Sequence, residues 1–351
     1  MEKLEVLGAR KLKGQVQISG SKNASLPILA ATLLSDKNIY LNNLPIVRDV
    51  ETMIILLESL GSNVKRINKQ KILIKNNKKP NTVASYDLVK TMRAGILVLG
   101  PLLATCGKAK ISLPGGCAIG IRPVNIHLEA LKKLGVNYRI TKGYIHAEAP
   151  KGLHGSKIKF PKISVGATEN LIMAASFAKG RTVLSNCAIE PEINDLVNFL
   201  KSMGCKIKWI SKRSIEIYGV KKAKEINYKI MFDRIEAGTF LVAAALTQGD
   251  LKIIKIDPKI IKTEIKTLRK IGAKITLGKN EIYIKGSKII KSINLKTAPY
   301  PGFPTDLQAQ MMTLLCKANK KSIISEEIFE NRFMHVSELN RMGANIILKG
   351  K

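Results

Sequence analysis

At 351 residues and 45% hydrophobic content the chain can bury a sizeable core and exceeds one average domain, so two domains are expected. The longest apolar run, Gly95 to Thr105, holds Gly and Pro and falls short of the roughly 20 residues a membrane span needs; the N-terminal MEKLEVLGARKLKG has no apolar stretch of the signal-peptide kind, so a cytoplasmic protein is expected. The formal charge of +33 comes from 47 Lys and 12 Arg dispersed along the chain, without an Arg-rich arm or an aromatic-interleaved basic stripe, which argues against a nucleic-acid partner and for solvated faces that still attract small anions.

In chain order, two kinds of segment alternate. The first kind is a small-residue helix, a polar turn and a strand: LPILAATLLSDKNIYLNN, GILVLGPLLATCGKAKISL, NLIMAASFAKGRTVLSN, TFLVAAALTQGDLKIIK and QMMTLLCKANKKSIIS. The second kind is an amphipathic helix, a glycine and an alternating strand: LLESLGSNVKR, ALKKLGVNYRI, FLKSMGCKIKWI, TLRKIGAKITL and ELNRMGANIIL. The glycines, Gly61, Gly135, Gly204, Gly272 and Gly343, stand 74, 69, 68 and 71 residues apart. Each is placed to take the left-handed conformation that stops a helix, after a last turn whose basic residues suit the helix dipole. Five copies of helix, strand, helix, strand predict an α/β fold of repeated modules. Ala, Gly and Ser on the first kind of helix predict close packing inside the fold. Five units do not divide into two equal domains of three.

Five cysteines without CxxC spacing argue against a disulfide framework and against a zinc site. Cys106, Cys187, Cys205 and Cys316 read as small buried hydrophobes. Cys117 differs. It lies in SLPGGCAIGIRPVNIH (Ser112 to His127), where glycines make a mobile loop and Arg122 supplies the positive charge that lowers a thiol pKa. Arg122 is also suited to bidentate grip of a phosphate or carboxylate; His127 is equally consistent with capping or packing. In SGSKNASLP, Lys22 and Asn23 precede a helix, either as a phosphate site or as part of a cap. Arg93, in YDLVKTMRAG, opens the second small-residue helix, where its charge opposes the dipole unless an anion is bound. Asp306, in PYPGFPTDLQAQ, stands at a helix start, and Arg332 lies in the polar turn ENRFMH. A plain first-turn carboxylate is the competing reading of Asp306.

The motifs SGSKNASLPI, KTMRA, SLPGGCAIGIRPV, KISVGATEN, DRIEAGTF, FPTDLQAQ and FENRFMHV, in this order and spread over the whole chain, resemble the UDP-N-acetylglucosamine 1-carboxyvinyltransferase family of enolpyruvyl transferases. The resemblance implies a two-domain inside-out α/β barrel. One domain covers 22–227; the other is discontinuous, 1–21 with 228–351, and its sixth unit is incomplete. It implies transfer of the enolpyruvyl group of phosphoenolpyruvate to the 3′-hydroxyl of UDP-N-acetylglucosamine by addition and elimination, by a monomer. No metal or organic cofactor is expected, because protein cations stabilise the developing charge. Carried over by motif position, Cys117 is the acid for C3 and the site of a covalent adduct, and Asp306 is the base facing the 3′-hydroxyl. Lys22, Arg93 and Arg122 hold phosphates. Asn23, Arg122, Pro123, Val124, Asn125, Ile126, Lys162, Ile163, Ser164, Val165 and Ile328 line the nucleotide-sugar site, and Arg332 helps hold phosphoenolpyruvate. In the family a further repeat follows, with an Asp-Leu-Arg loop and a later Arg on phosphoenolpyruvate. An exposed apolar face is therefore expected in the second domain. Two other readings are carried: an inactive remnant that binds anions, and the related 3-phosphoshikimate 1-carboxyvinyltransferase, against which the PGGC loop and KISVGATEN speak.

Overall fold

In the computed structural model, which describes residues 5, 7–8, 10–76, 80–90, 92–113 and 124–351, the apolar residues gather into two cores. They belong to a central unit, Ser19–Met231, and a terminal unit that joins the residues up to Ile18 to Phe232–Lys351.

The central unit holds helices α1 (Lys22–Ala31), α2 (Arg48–Ser59), α3 (Tyr86–Val89), α4 (Leu99–Cys106), α5 (Asn125–Lys132), α6 (Val165–Ala175) and α7 (Pro191–Ser202). A helix with apolar or small residues on every side has little face to give to water. Accordingly every residue from Ala24 to Ala31 of α1 and from Ala167 to Ala175 of α6 is buried, and α1, α4 and α6 form the inside. Small residues make this possible: a Cβ on Gly100 of α4 would stand 2.5 Å from the Asn170 carbonyl oxygen of α6. Helices α2 and α7 are amphipathic. Helix α7 buries Ile193, Leu196, Val197, Phe199 and Leu200 and leaves Lys201 in solvent.

Each inner helix delivers its chain into a strand: Ile39–Asn42, Lys108–Ser112 and Arg181–Ser185. Each such strand sits between a parallel edge strand and the nearer arm of an antiparallel hairpin, so three four-stranded sheets result. The hairpins are Ser62–Asn68 with Lys71–Asn76, Asn137–Thr141 with Tyr144–Glu148, and Lys206–Ser211 with Ser214–Tyr218. The unit closes on itself because its last strand, Ile226–Lys229, is the parallel neighbour of its first, Ile39–Asn42. Gly61, Gly135 and Gly204 precede the hairpins with φ of 96°, 95° and 100°, the left-handed stop expected from the repeat.

The terminal unit repeats the pattern with α8 (Arg234–Leu246), α9 (Lys262–Ile271), α10 (Gln308–Leu315) and α11 (His335–Arg341). Lys13–Gln17 is the parallel edge of a four-stranded sheet with Asp250–Ile254, Glu281–Lys285 and Lys274–Leu277. A second sheet has two strands, Asn294–Lys296 and Ile323–Ser325. Gly343 has φ 95° like its four counterparts, but the strand expected after it does not form. In the other four copies that strand is the first arm of a hairpin. Ile347 and Leu348 are 76% and 55% exposed. The cysteines also divide. Cys187 and Cys205 are buried, and burial pushes their thiols up to about 12 and about 11. Cys106 is half-buried, and Cys316, expected to be buried, is exposed because it caps the C-terminus of α10 beyond the packed face.

Candidate functional site

The segments singled out in the sequence fall into one group per unit. In the central unit the first is the start of α1. The Ser21 hydroxyl accepts from the Ala24 N–H at 3.2 Å, so the cap belongs to Ser21 and leaves Lys22 and Asn23 on the first turn. The Lys22 ammonium lies 3.0 Å from the carboxylate of Asp49, in the first turn of α2; both side chains are partly exposed. The approach to this turn is fixed from three sides. A Cβ on Gly20 would stand 1.6 Å from the Asn43 carbonyl oxygen, so only glycine fits. The Ser21 N–H donates to Met231 O at 2.8 Å. The Met231 N–H in turn donates to Asp195 Oδ2 at 3.1 Å, while the Tyr228 hydroxyl donates to Asp195 Oδ1 at 2.7 Å. Burial holds the Asp195 carboxyl above its ordinary range, against the pull of those donors.

Arg93 opens a 3₁₀ helix, Arg93–Val98, that runs into α4, and no side chain caps this end. Asn125 and Ile126 open α5, where Asn125 Oδ1 accepts from the Ile126 N–H at 3.1 Å; Val124 is the residue before them. Lys162 and Ile163 lead to α6, where Ser164 Oγ accepts from the Ala167 N–H at 3.3 Å and Val165 is partly exposed. His127 joins these three starts. Its ring is buried, Nδ1 lies 3.2 Å from the amide nitrogen of Asn170, and a Cβ on Gly166 would come within 3.3 Å of Cε1. Burial, and secondarily the Arg93 charge, push the His127 pKa down to about 4, so the ring is neutral at physiological pH. Three helix starts with Arg93 and Lys162 bring positive dipole ends and cations together in one unit. That is the composition of an anion site. Cys117, Arg122 and Pro123 lie outside the described residues.

In the terminal unit Asp306 sits in a 3₁₀ turn, Thr305–Leu307, that leads into α10. The Arg332 guanidinium lies 2.7 Å from its carboxylate and 5.4 Å from the Phe329 ring centre. Asp306 is thus a first-turn carboxylate that also pairs with Arg332. Glu326, which the sequence reading missed, binds this group together. The residue is 2% exposed. It accepts from Thr305 Oγ1 at 2.8 Å and from the N–H groups of Ile328 and Phe329 at 2.8 and 3.2 Å. Its signal in the sequence was slight: one of two adjacent acids in SEEIF, between the strand segment ending at Ser325 and Ile328. Asp49, Asp195 and Asn170 were missed in the same way, although Asn170 closes the KISVGATEN motif.

The fold is that of an enolpyruvyl transferase. The chain matches the enolpyruvyl transferase NikO from Streptomyces tendae with a TM-score of 0.85 at 19% identity, over 98% of this chain and 81% of that one. It matches EPSP synthase from Acinetobacter baumannii with a TM-score of 0.69 at 18% identity, over 90% and 74%. The family model for EPSP synthase (3-phosphoshikimate 1-carboxyvinyltransferase) matches residues 6–350. Over 350 residues the chain is 72% identical to a UDP-N-acetylglucosamine 1-carboxyvinyltransferase of Pelagibacter ubique and 50% identical to one of Geotalea uraniireducens, covering 100% of this chain and 84% of each relative. The chain belongs to the UDP-N-acetylglucosamine 1-carboxyvinyltransferase family. Among the described residues no helix is long and apolar enough to cross a membrane.

Proposed function

We propose that the chain transfers the enolpyruvyl group of phosphoenolpyruvate to the 3′-hydroxyl of UDP-N-acetylglucosamine, with release of phosphate, as the first committed step of peptidoglycan synthesis. The observation that carries this is the 72% identity, along the whole chain, to a relative bearing that name. The family model bears the 3-phosphoshikimate name, but the relatives at 72% and 50% identity bear the other.

In this mechanism the Cys117 thiol protonates C3 of the enol while the 3′-oxygen adds to C2 and its proton passes to Asp306. The resulting tetrahedral ketal then loses phosphate, and a C3 proton returns to the protein. The Asp306–Arg332 pair supports both halves: the guanidinium, 2.7 Å from the carboxylate, orients it as the base, and it is placed to meet an anionic substrate beside it. Lys22, Arg93 and Arg122 hold phosphates. Asn23, Arg122 to Ile126, Lys162 to Val165 and Ile328 line the nucleotide-sugar site. Both substrates are cytoplasmic metabolites, so the enzyme works in the cytoplasm, as a monomer and without a nucleic-acid partner.

The test is phosphate release by the purified 351-residue chain. Release that requires both substrates is expected. A folded chain that binds UDP-N-acetylglucosamine and releases none would leave an anion-binding remnant instead. Mass spectrometry after incubation with phosphoenolpyruvate reads the adduct on Cys117.

A further inference from the structure

Asn170 is 0% exposed on the fully buried part of α6, between Glu169 and an apolar run from Leu171 to Ala175, where a carboxamide is costly unless its polar atoms are bonded. Its Oδ1 accepts from the Gly100 N–H at 2.6 Å, and its Nδ2 donates to the Ile96 carbonyl at 2.9 Å. In a continuous α-helix those two backbone groups, four residues apart, would bond to each other. Here the 3₁₀ helix that begins at Arg93 gives way to α4 between them, and the Asn170 amide inserts into the break, serving both groups. Gly100 is required for this, since a Cβ there would stand 2.5 Å from Oδ1.

The Gly100 donor settles which end of the amide is oxygen, so the nitrogen faces His127, with Nδ1 at 3.2 Å. Nδ1 is therefore the acceptor, and the ring proton sits on Nε2. The Nε2 and Cε1 edge lies against Gly166, 3.5 and 3.3 Å from where a Cβ would be. One buried amide thus ties together the turn bearing Arg93, the start of α5 and the start of α6.

We propose that Asn170 and His127 are positioning residues that set these three helix starts as one preformed cradle for the diphosphate of a nucleotide sugar. The proposal rests on the reading of the site given under Proposed function. A cradle assembled before binding spares the ligand the cost of ordering it.

The experiment is calorimetric titration of the full chain with UDP-N-acetylglucosamine, together with its KM and kcat in the phosphate-release assay. His127→Phe keeps a ring but removes the acceptor; about tenfold weaker binding is expected, in KM more than in kcat, as for loss of one buried hydrogen bond. His127→Asn puts an amide oxygen near the place of Nδ1, and binding within about threefold of wild type is expected. Equal affinity in His127→Phe, or an equal loss in His127→Asn, overturns the proposal, because ring packing rather than the bond would then be at work. If His127→Phe does not fold, Asn170→Asp decides: it is isosteric and loses both donations, and wild-type affinity in it overturns the proposal. Wild-type chain that does not bind UDP-N-acetylglucosamine would instead sink the functional reading, and the cradle with it.

Discussion

Asn170 of the central unit and Gln308 of the terminal unit are both fully buried amides on inner helices. All of the amide of Asn170 is engaged, whereas neither amide atom of Gln308 has a hydrogen-bond partner among the described residues. The surroundings differ in the same sense. Asn170 stands among three inner helices, α1, α4 and α6, backed by three four-stranded sheets; Gln308 starts α10, beside α8 and backed by one four-stranded and one two-stranded sheet. A buried amide stabilises a helix core only where a neighbouring element brings complementary groups; otherwise it costs about 1–3 kcal/mol.

The largest expected effect contrasts the functional groups of the two units. Asp306→Asn, in the terminal unit, removes the proposed base and should lower kcat by about 10²–10⁴-fold, on the order of 3–5 kcal/mol in the barrier, with a much smaller change in UDP-N-acetylglucosamine affinity. Steady-state kinetics and titration together check this; a loss confined to affinity would place Asp306 among the binding residues. Next is pH. His127 has a folded pKa of about 4 against 6.5 in the unfolded chain, so the unfolded state takes up the proton first. The stability that depends on a neutral ring is present above pH 6.5 and is lost as pH falls through 4. Relative to His127→Asn, the wild type should lose up to about 3 kcal/mol over that interval in denaturant titrations. Parallel curves would mean that the ring is not held neutral. The buried carboxyl of Glu169, raised by desolvation and then by Glu192 and Glu190, acts in the opposite sense but is common to both proteins. Asn170→Leu should cost about 3 kcal/mol, since it strands the Gly100 N–H and the Ile96 carbonyl. The smallest effect carries the opposite sign: Gln308→Leu should stabilise by about 1 kcal/mol. Thermal melts that show both substitutions destabilising would erase the contrast between the units.

Local features were legible in the sequence and non-local ones were not. The five glycine stops depend on one residue's φ, and all five take it. The buried small-residue helices follow from composition within ten or so positions. The hydrogen bonds of Asn170, by contrast, reach 70, 74 and 43 residues away, and Glu326 reaches back 21 to Thr305; no periodicity encodes such pairings. The alternation after Gly343 is as good a strand pattern as the other four, yet alternation reports only which face would be buried, and the strand itself needs a second backbone. The motifs around Lys22 and Arg93 pointed to helix starts correctly, but which side chain would cap the first was open until Ser21 was seen to do so; the start of α6 at Val165 lies five residues before the small-residue run read as its helix.

The parallel edge strands set a timetable. Lys13 pairs with Asp250 and Ile39 with Ile226, so the first strand of each unit waits for a partner about two hundred residues further along the chain. At about 5–20 residues per second on the ribosome, Lys13–Gln17 emerges on the order of 10–50 s before its neighbour exists. During that interval the whole central unit is synthesised. Newborn chains should therefore expose an N-terminal strand to chaperones for far longer than the central unit takes to collapse, and refolding of the finished chain, dominated by such distant pairings, should be slow for its size.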